Sequence, residues 1–265
     1  MAASALRLRG ISILAGLGLA AGIMGGILGI GGGALVVPGL VFFFNFSQHR
    51  AHGTSLAVVL CLSLASVLTY SSHGHLDVLL SLEIAVGGVV GAAFGARAVK
   101  GMDGRLLRLV FGAFLALVGA RMMWGGLAGH NHLTPAGAAG LDYGTLSGFA
   151  AAIGVGLVTG FMSGMLGIGG GMVMVPAMVL LLGVPQQTAQ GVSLAAMLPT
   201  ALTGMAIHRA MGNVDTIAGK WVGLGAIAGA LAGANVAVRV SPYSLKLAFG
   251  VFLVIMAVLM ALKRK

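Results

Sequence analysis

A segment near the N-terminus recurs in the second half of the chain. Residues 26–38 read GILGIGGGALVVP, and residues 164–176 read GMLGIGGGMVMVP. The same offset of 138 residues (residue 26 against residue 164) pairs Gly53 with Gly191 and continues into the later part of each half. A register kept this long indicates a tandem duplication, so each half must fold as a copy of the other.

Each half contains four apolar stretches. They cover residues 11–44, 54–72, 78–98 and 105–124 in the first half, and 144–182, 192–211, 216–238 and 243–262 in the second. The last three stretches of each half have the ~20 residues needed to span a bilayer core. The chain is therefore predicted to consist of two transmembrane repeats, 1–124 and 144–265, joined by an inter-repeat linker at 125–143.

Composition supports a lipid environment. Hydrophobic residues make up 58% of the chain and charged residues only 8%, whereas about a quarter of a soluble domain is charged. So few charges cannot cover a surface that faces water, and the predicted class is an all-α integral membrane protein.

The net charge of +10 does not indicate nucleic acid as a partner. The basic residues cluster at the ends of apolar stretches, as membrane orientation requires.

The leading stretch of each half is too long for one span. Residues 11–44 would form a helix of about 51 Å, against a hydrocarbon core of about 30 Å. Three consecutive glycines, 31–33, and then Pro38 interrupt it, and both residue types disfavour helix. Two forms remain open at this point, a kinked span and a hairpin that enters the membrane and returns.

Charge counting favours the hairpin. With a cytoplasmic N-terminus and no net crossing by either leading stretch, only Arg121, Arg239 and Lys246 of the 15 Lys and Arg residues lie outside. A full crossing divides the basic residues almost evenly, which the positive-inside rule disfavours. Both termini are then cytoplasmic at the inner membrane. Three net crossings per half predict two inverted repeats with broken helices, an architecture of many secondary transporters.

The glycine breaks are the first candidate site. The residues concerned are Gly31, Gly32 and Gly33 in one half and Gly169, Gly170 and Gly171 in the other. A break at membrane depth exposes N–H groups at the start of the next half-helix, where the helix dipole adds about half a positive charge. Two such ends meeting near the midplane could hold an anion. The alternative is that the glycines only permit close packing.

The polar segment that follows each hairpin is the second candidate. The first half provides Gln48, Thr54 and Ser55, and the second provides Gln186, Gln190 and Ser193. These small donors fall at the start of a spanning helix, so they could contact substrate. The alternative is ordinary helix N-capping, which Ser and Thr perform routinely.

Few other ionisable groups suggest chemistry. Glu83 and Arg97 lie in an apolar stretch, where a charge is a functional hypothesis by default. Both fall near segment ends, so snorkelling to the interface is the simpler explanation. His208 could carry a proton. His130 and His132 in the linker lack further ligands, and no metal site, catalytic residue or cofactor is predicted.

With these residues in hand, the chain resembles the sulfite exporter TauE/SafE family, also called the toluene sulfonate uptake permease family. The resemblance is carried by the doubled Gly-x-Gly-Gly-Gly…Val-Pro hairpin, the Gly-Thr-Ser-Leu at 53–56, the Gly-x-x-Asp loops at 74–77 and 212–215, and a closing Leu-x-x-x-Phe-Gly in each half. The second half has Val192 where the first has Thr54. The resemblance implies secondary transport of a small sulfur oxyanion, such as sulfite or an organosulfonate.

Three functional classes follow. The expected function is a secondary transporter of a small anion that works by alternating access, with coupling to protons and the oligomeric state left open. The alternative is an anion channel with the same helical-hairpin site. An enzyme would need a nucleophile, paired carboxylates or a metal cluster, and the apolar stretches carry only Glu83 as an acid.

Overall fold

The computed structural model describes residues 2–98, 104–127, 145–166 and 170–262, which form ten α-helices and no strand. The first half comprises α1 (Ala2–Leu28), α2 (Gly33–Phe44), α3 (Gln48–Ser72), α4 (Val78–Ala98) and α5 (Gly104–Leu127). The second comprises α6 (Leu146–Leu166), α7 (Gly171–Leu181), α8 (Gln186–Ala210), α9 (Thr216–Ala237) and α10 (Pro242–Leu262). The predicted all-α membrane class is confirmed. Most of the linker at 125–143, from residue 128 onward, lies outside the described residues.

The glycine break turns the chain back on itself. Gly32 precedes α2 with a φ of 66°, a left-handed conformation that favours glycine. Gly32 packs on the Ala21 backbone of α1, and Gly39, two turns later, packs on Leu17. Contacts that move forward along α2 and backward along α1 define an antiparallel hairpin. The chain therefore reverses direction at the break and does not continue as one kinked helix.

The equivalent helices α3 and α8 pack against each other in antiparallel orientation. Gly53 at the start of α3 lies against the Asn213 carbonyl, just beyond the end of α8. Gly191 at the start of α8 lies against the His75 carbonyl, just beyond the end of α3. A side chain at either glycine would collide with a carbonyl group of the other half. The pair α5 and α10 is also antiparallel, since Gly119 faces Gly250 and Gly112 faces Ala257.

Glycine seams join the two halves along their remaining helices. Gly22 of α1 abuts the Ala226 carbonyl of α9, and Gly229 of α9 abuts the Leu19 carbonyl of α1. The equivalent pair, α4 and α6, meets in the same way through glycines such as Gly91. Small residues let helix backbones approach closely in lipid, where the hydrophobic effect does not drive helix association. The high glycine content therefore serves contact between halves.

The outer surface suits hydrocarbon. Large apolar side chains are exposed around the molecule, among them Phe42 at 74% and Leu146 at 84%. In the described ranges, six helices are long and apolar enough to cross a membrane, and the protein is a multi-pass membrane protein. Helices α3 and α8 begin at Gln48 and Gln186, six residues before the apolar stretches that predicted them. The polar segments therefore belong to the helices.

Candidate functional site

The two glycine breaks meet in the interior. Gly171, the first residue of α7, faces the first break so closely that an added Cβ would lie 2.6 Å from Ile30 Cα and 2.7 Å from the Gly29 carbonyl oxygen. Met197 of α8 fills the space between the breaks and contacts both Gly31 and Gly171. Because Gly31 also contacts Val59, midway along α3, the meeting point lies at mid-depth of the spanning helices.

Helix α8 supplies polar groups to this meeting point. The Ser193 hydroxyl donates to the Gly29 carbonyl at 3.0 Å. One turn earlier, the Gln190 side chain packs directly on Gly29. Both side chains are fully buried. The Gly29 carbonyl, freed by the end of α1, thus finds a partner in the other half, as a buried backbone group requires.

Tyr70 connects α1, α3 and α8. Its hydroxyl lies 2.8 Å from the Gly26 carbonyl and 3.0 Å from Gln190 Oε1. A phenol has one proton, so it donates to one of these acceptors at a time. The Gln190 amide nitrogen, Nε2, has no hydrogen-bond partner. Rotating the amide would allow Nε2 to donate to Tyr70, and it would leave Oε1 without a donor.

Two hydroxyls on α3 also lack partners, because Ser63 and Ser66 are buried without a hydrogen bond. The Gln186 amide is buried without one as well, but Gln186 begins α8, about 16 Å along the helix axis from Met197. Ser63 and Ser66 share a helical face with Tyr70 and with Val59, which contacts the break. An unsatisfied buried group costs about 1–3 kcal/mol. The Ser63 and Ser66 hydroxyls are therefore available to a polar ligand.

The first-half counterparts have different roles. Thr54 accepts a hydrogen bond from the Asp215 backbone N–H at 3.0 Å, and Ser55 donates within its own helix to the His52 carbonyl at 2.8 Å. Gln48 is exposed at the start of α3, about 16 Å along the helix axis from Val59. The structure therefore brings neither Gln48 nor Thr54 to the glycine breaks.

Arg50 and Asp215 form an ion pair that fastens the start of α3 to the start of α9. Phe46 packs under the Arg50 guanidinium, with 4.8 Å between Cζ and the ring centroid. Asp215 also caps α9 by accepting from the Ile217 and Ala218 N–H groups at 3.0 and 2.8 Å. We call this the α3–α9 latch, comprising Arg50, Thr54 and Asp215.

The other half has no equivalent of the latch. The corresponding positions are Thr188 and Val192 on α8 and Asp77 before α4. Asp77 accepts from the Leu80 N–H at 3.0 Å, so it caps its own helix as Asp215 does. Gly191 packs against the His75 carbonyl as Gly53 packs against the Asn213 carbonyl, but Thr188 cannot form an ion pair as Arg50 does. The two ends of the α3–α8 pair are therefore held differently.

Two other features lie apart from the breaks. Glu83 on α4 is 5% exposed, and its Oε2 has no hydrogen-bond partner.

A cavity of about 290 Å³ between α5, α6 and α7 is lined by apolar residues such as Val118, Val158 and Leu180. This lining offers nothing to an anion. In the described ranges, no group of three His, Cys, Asp or Glu residues could hold a metal ion.

The predicted site residues thus separate into two sets. The structure gathers at the meeting point the residues of the two breaks together with two side chains of α8, namely Gly31, Gly32, Gly33, Gly170, Gly171, Gln190 and Ser193. Gln186 begins α8, and Gly169 lies outside the described residues. The sequence reasoning missed Met197, Tyr70, Ser63 and Ser66. The 3–4-residue spacing of Ser63, Ser66 and Tyr70 within an apolar stretch was the available signal.

Paired broken helices, glycine seams between halves and buried polar groups at mid-depth define a membrane transporter class of protein. The family described as sulfite exporter TauE/SafE matches the chain over residues 13–154 and again over residues 152–265. The chain belongs to the sulfite exporter TauE/SafE family.

Relatives of the chain are described as probable membrane transporter proteins. A probable membrane transporter protein of Xylella fastidiosa is 30% identical over 260 residues, 96% of this chain and 95% of its own length. The probable membrane transporter protein YunE of Bacillus subtilis is 31% identical over 231 residues, 80% of this chain and 85% of its own. One from Methanocaldococcus jannaschii is 33% identical over 60% of this chain and 58% of its own. No solved structure matches the chain.

Proposed function

We propose that the protein is a secondary transporter that moves a small anion, a sulfur oxyanion such as sulfite or an organosulfonate, across the inner membrane. The observation that carries this proposal is the meeting of the two glycine breaks beside Gln190 and Ser193, with buried amide and hydroxyl groups that lack partners. Helices α2 and α7 both start at this point, so their positive dipole ends add to the donors. The family's description as sulfite exporters suggests the substrate class.

The mechanism that fits best is alternating access. Gln186, Gln190 and Ser193 have no exposed surface, so an ion at the site would be closed off from both sides at once. A transporter needs such an occluded arrangement, whereas an open channel needs a continuous polar path. The latch at only one end of α3 and α8 is consistent with a cycle in which the two entrances open in turn.

The topology proposed here is two inverted repeats, each with a re-entrant hairpin and three spanning helices. The antiparallel packing of α3 on α8 and of α5 on α10 supports it, because equivalent helices of inverted repeats must point in opposite directions. The distribution of Lys and Arg then orients both termini to the cytoplasm. The corresponding units are residues 1–124 and 144–265, with the linker at 125–143 on the outer side.

Reporter fusions test this topology directly. A reporter that is active only in the cytoplasm, fused after residue 265, is expected to be active, and one inserted near residue 135 is expected to be silent. If each leading stretch instead crossed fully, four crossings would return the linker to the cytoplasm. Activity at both positions would then rule out the inverted arrangement.

Transport itself is tested by flux into proteoliposomes that contain the purified protein. Labelled sulfite, methanesulfonate and chloride are compared with and without an imposed pH gradient. Saturable uptake of a sulfur oxyanion that the gradient accelerates is the expected result. A fast chloride leak that ignores the gradient would favour the channel, and the absence of any anion flux would overturn the proposal.

We further propose that Glu83 carries the coupled proton. It is buried in a spanning helix, and one carboxylate oxygen lacks a partner. The helices packed on α4 offer it little charge, because α6 has no ionisable residue over 146–166, and α8 has only His208 and Arg209, in its last turn. The nearby acid is Asp77, which caps α4. A carboxylate this isolated in lipid is stable only when it can take up a proton.

A further inference from the structure

The segments that meet at the glycine breaks contain no charged residue. Residues 10–44, 53–72 and 144–207 include no Lys, Arg, His, Asp or Glu. They comprise α1 from Gly10 onward, α2, most of α3, helices α6 and α7, and all of α8 except its last three residues. Every side chain that can reach the meeting point from these segments is therefore neutral. An anion held there has no full positive charge from these segments beside it.

The cationic groups toward the ends of α3 and α8 are distant, occupied or neutral. Arg50 pairs with Asp215, and it precedes Val59, where α3 contacts the break, by about 13 Å along the helix axis. His208 follows Met197 on α8 by about 16 Å on the same measure. His75 lies beyond the end of α3, where burial, and then the positive charge of neighbouring His73, lower its pKa. His75 is therefore neutral at neutral pH.

The positive potential at the site comes from backbone and amide dipoles. A helix N-terminus is equivalent to about half a positive charge, so α2 and α7 together provide about one. Gln190 Nε2 adds a neutral donor that has no protein partner, and the Gln190 side chain is fully buried. The positive potential of the two helix ends is therefore enough to balance about one negative charge.

A second negative charge would not be balanced. The Born cost of taking an ion out of water rises with the square of its charge, so a dianion costs about four times as much as a monoanion of the same size. Neutral donors recover only part of that cost, and no counter-ion in the lining segments recovers the rest. We propose that the site accepts singly charged oxyanions and rejects dianions of similar size and shape. This inference rests on the proposed function and specifies its substrate.

The test compares labelled methanesulfonate, a monoanion, with sulfate, a dianion of similar size, in proteoliposomes with equal pH on both sides. Methanesulfonate is expected to be taken up at more than about ten times the kcat/KM of sulfate. Sulfite titrates between its singly and doubly charged forms near neutral pH. Its uptake is expected to follow the monoanion fraction, with methanesulfonate at each pH as the control for effects on the protein.

A charge-adding variant strengthens the test. Gln190→Lys introduces a cation at the site and is expected to raise sulfate uptake relative to methanesulfonate. Gln48→Lys adds the same charge at the exposed start of α3 and should leave the ratio unchanged. Wild-type protein that carries sulfate as well as methanesulfonate would overturn this inference and leave the proposed function standing. If sulfite, methanesulfonate and sulfate all fail to move, the proposed function fails and this inference fails with it.

Discussion

The hydroxyl of Ser193 donates a hydrogen bond of 3.0 Å to the carbonyl of Gly29, 164 residues earlier in the chain. Gly29 is the first residue after α1, so its carbonyl has left the helical ladder and would be unsatisfied in lipid without a partner. The bond ties the break in one half to the spanning helix α8 of the other. Movement of one half relative to the other must therefore strain or exchange this contact.

Ser193→Ala is expected to impair transport more than Ser55→Ala. The first change leaves the buried Gly29 carbonyl without a donor, at a cost of about 1–3 kcal/mol. The second removes a bond within α3 to the His52 carbonyl, which a helix tolerates readily. KM and maximal uptake rate in proteoliposomes, normalised to the amount of inserted protein, measure the difference. Equal effects of the two changes would show that α8 and α3 contribute alike.

Gly171→Ala is expected to abolish transport while membrane insertion continues. The new Cβ would lie 2.6 Å from Ile30 Cα and 2.7 Å from the Gly29 carbonyl oxygen, so the two breaks would have to separate. Both opposing atoms are backbone, which has little freedom to yield.

Gly154→Ala on α6 is the matched control, because nothing lies within 4 Å of a Cβ added there. Uptake assays and the yield of folded protein on size-exclusion chromatography distinguish the two variants. A Gly171→Ala protein that transports normally would mean that the breaks need not touch.

The sequence predicted much of the fold for identifiable reasons. Consecutive glycines followed by Pro38 are incompatible with one long helix, so the break could be located to within a few residues. The cross-half contacts could not be found in this way. Nothing in the local pattern says that Met197 fills the space between the breaks or that Tyr70 reaches Gly26, because these contacts depend on how two distant helices cross.

The candidate site was predicted unevenly for a related reason. Duplication suggested that the polar segments at the starts of α3 and α8 act alike, but repeated sequence does not enforce repeated contacts. Thr54 bonds the loop before α9, whereas Val192 at the equivalent position cannot make such a bond. The substitution was visible in the sequence. Its consequence, a latch at one end of α3 and α8 only, required the positions of Arg50 and Asp215.

Asp215→Asn is expected to loosen the latch with little loss of stability. The Arg50 side chain is 53% exposed, and surface ion pairs contribute about 0–1 kcal/mol. Asn retains an oxygen that can cap α9. Asp215→Ala removes the cap as well, so it should lower the free energy of unfolding by about 1 kcal/mol more than Asp215→Asn does. Thermal unfolding in detergent should therefore rank the variants wild type, Asn and Ala.

The latch variants also test gating. If the latch holds one entrance closed, Asp215→Asn should change the exchange rate of internal and external substrate, and high salt should produce part of the same change in the wild type. Identical exchange rates in wild type and Asp215→Asn, at low and high salt, would limit the latch to a structural role.

Glu83→Gln is expected to uncouple transport from the pH gradient. The amide has nearly the shape of the protonated acid but cannot release a proton, so the variant should exchange internal for external anion and no longer respond to an imposed gradient.

Asp77→Asn is the matched control. It removes the nearby carboxylate in the loop before α4 and keeps an oxygen that can accept from the Leu80 N–H. Gradient-driven uptake and gradient-free counterflow are measured on the same preparation of each variant. Loss of gradient stimulation in Glu83→Gln alone, with counterflow kept, assigns the coupled proton to Glu83. Full stimulation in that variant would show that the proton binds elsewhere and that Glu83 is only a buried acid at the end of a span.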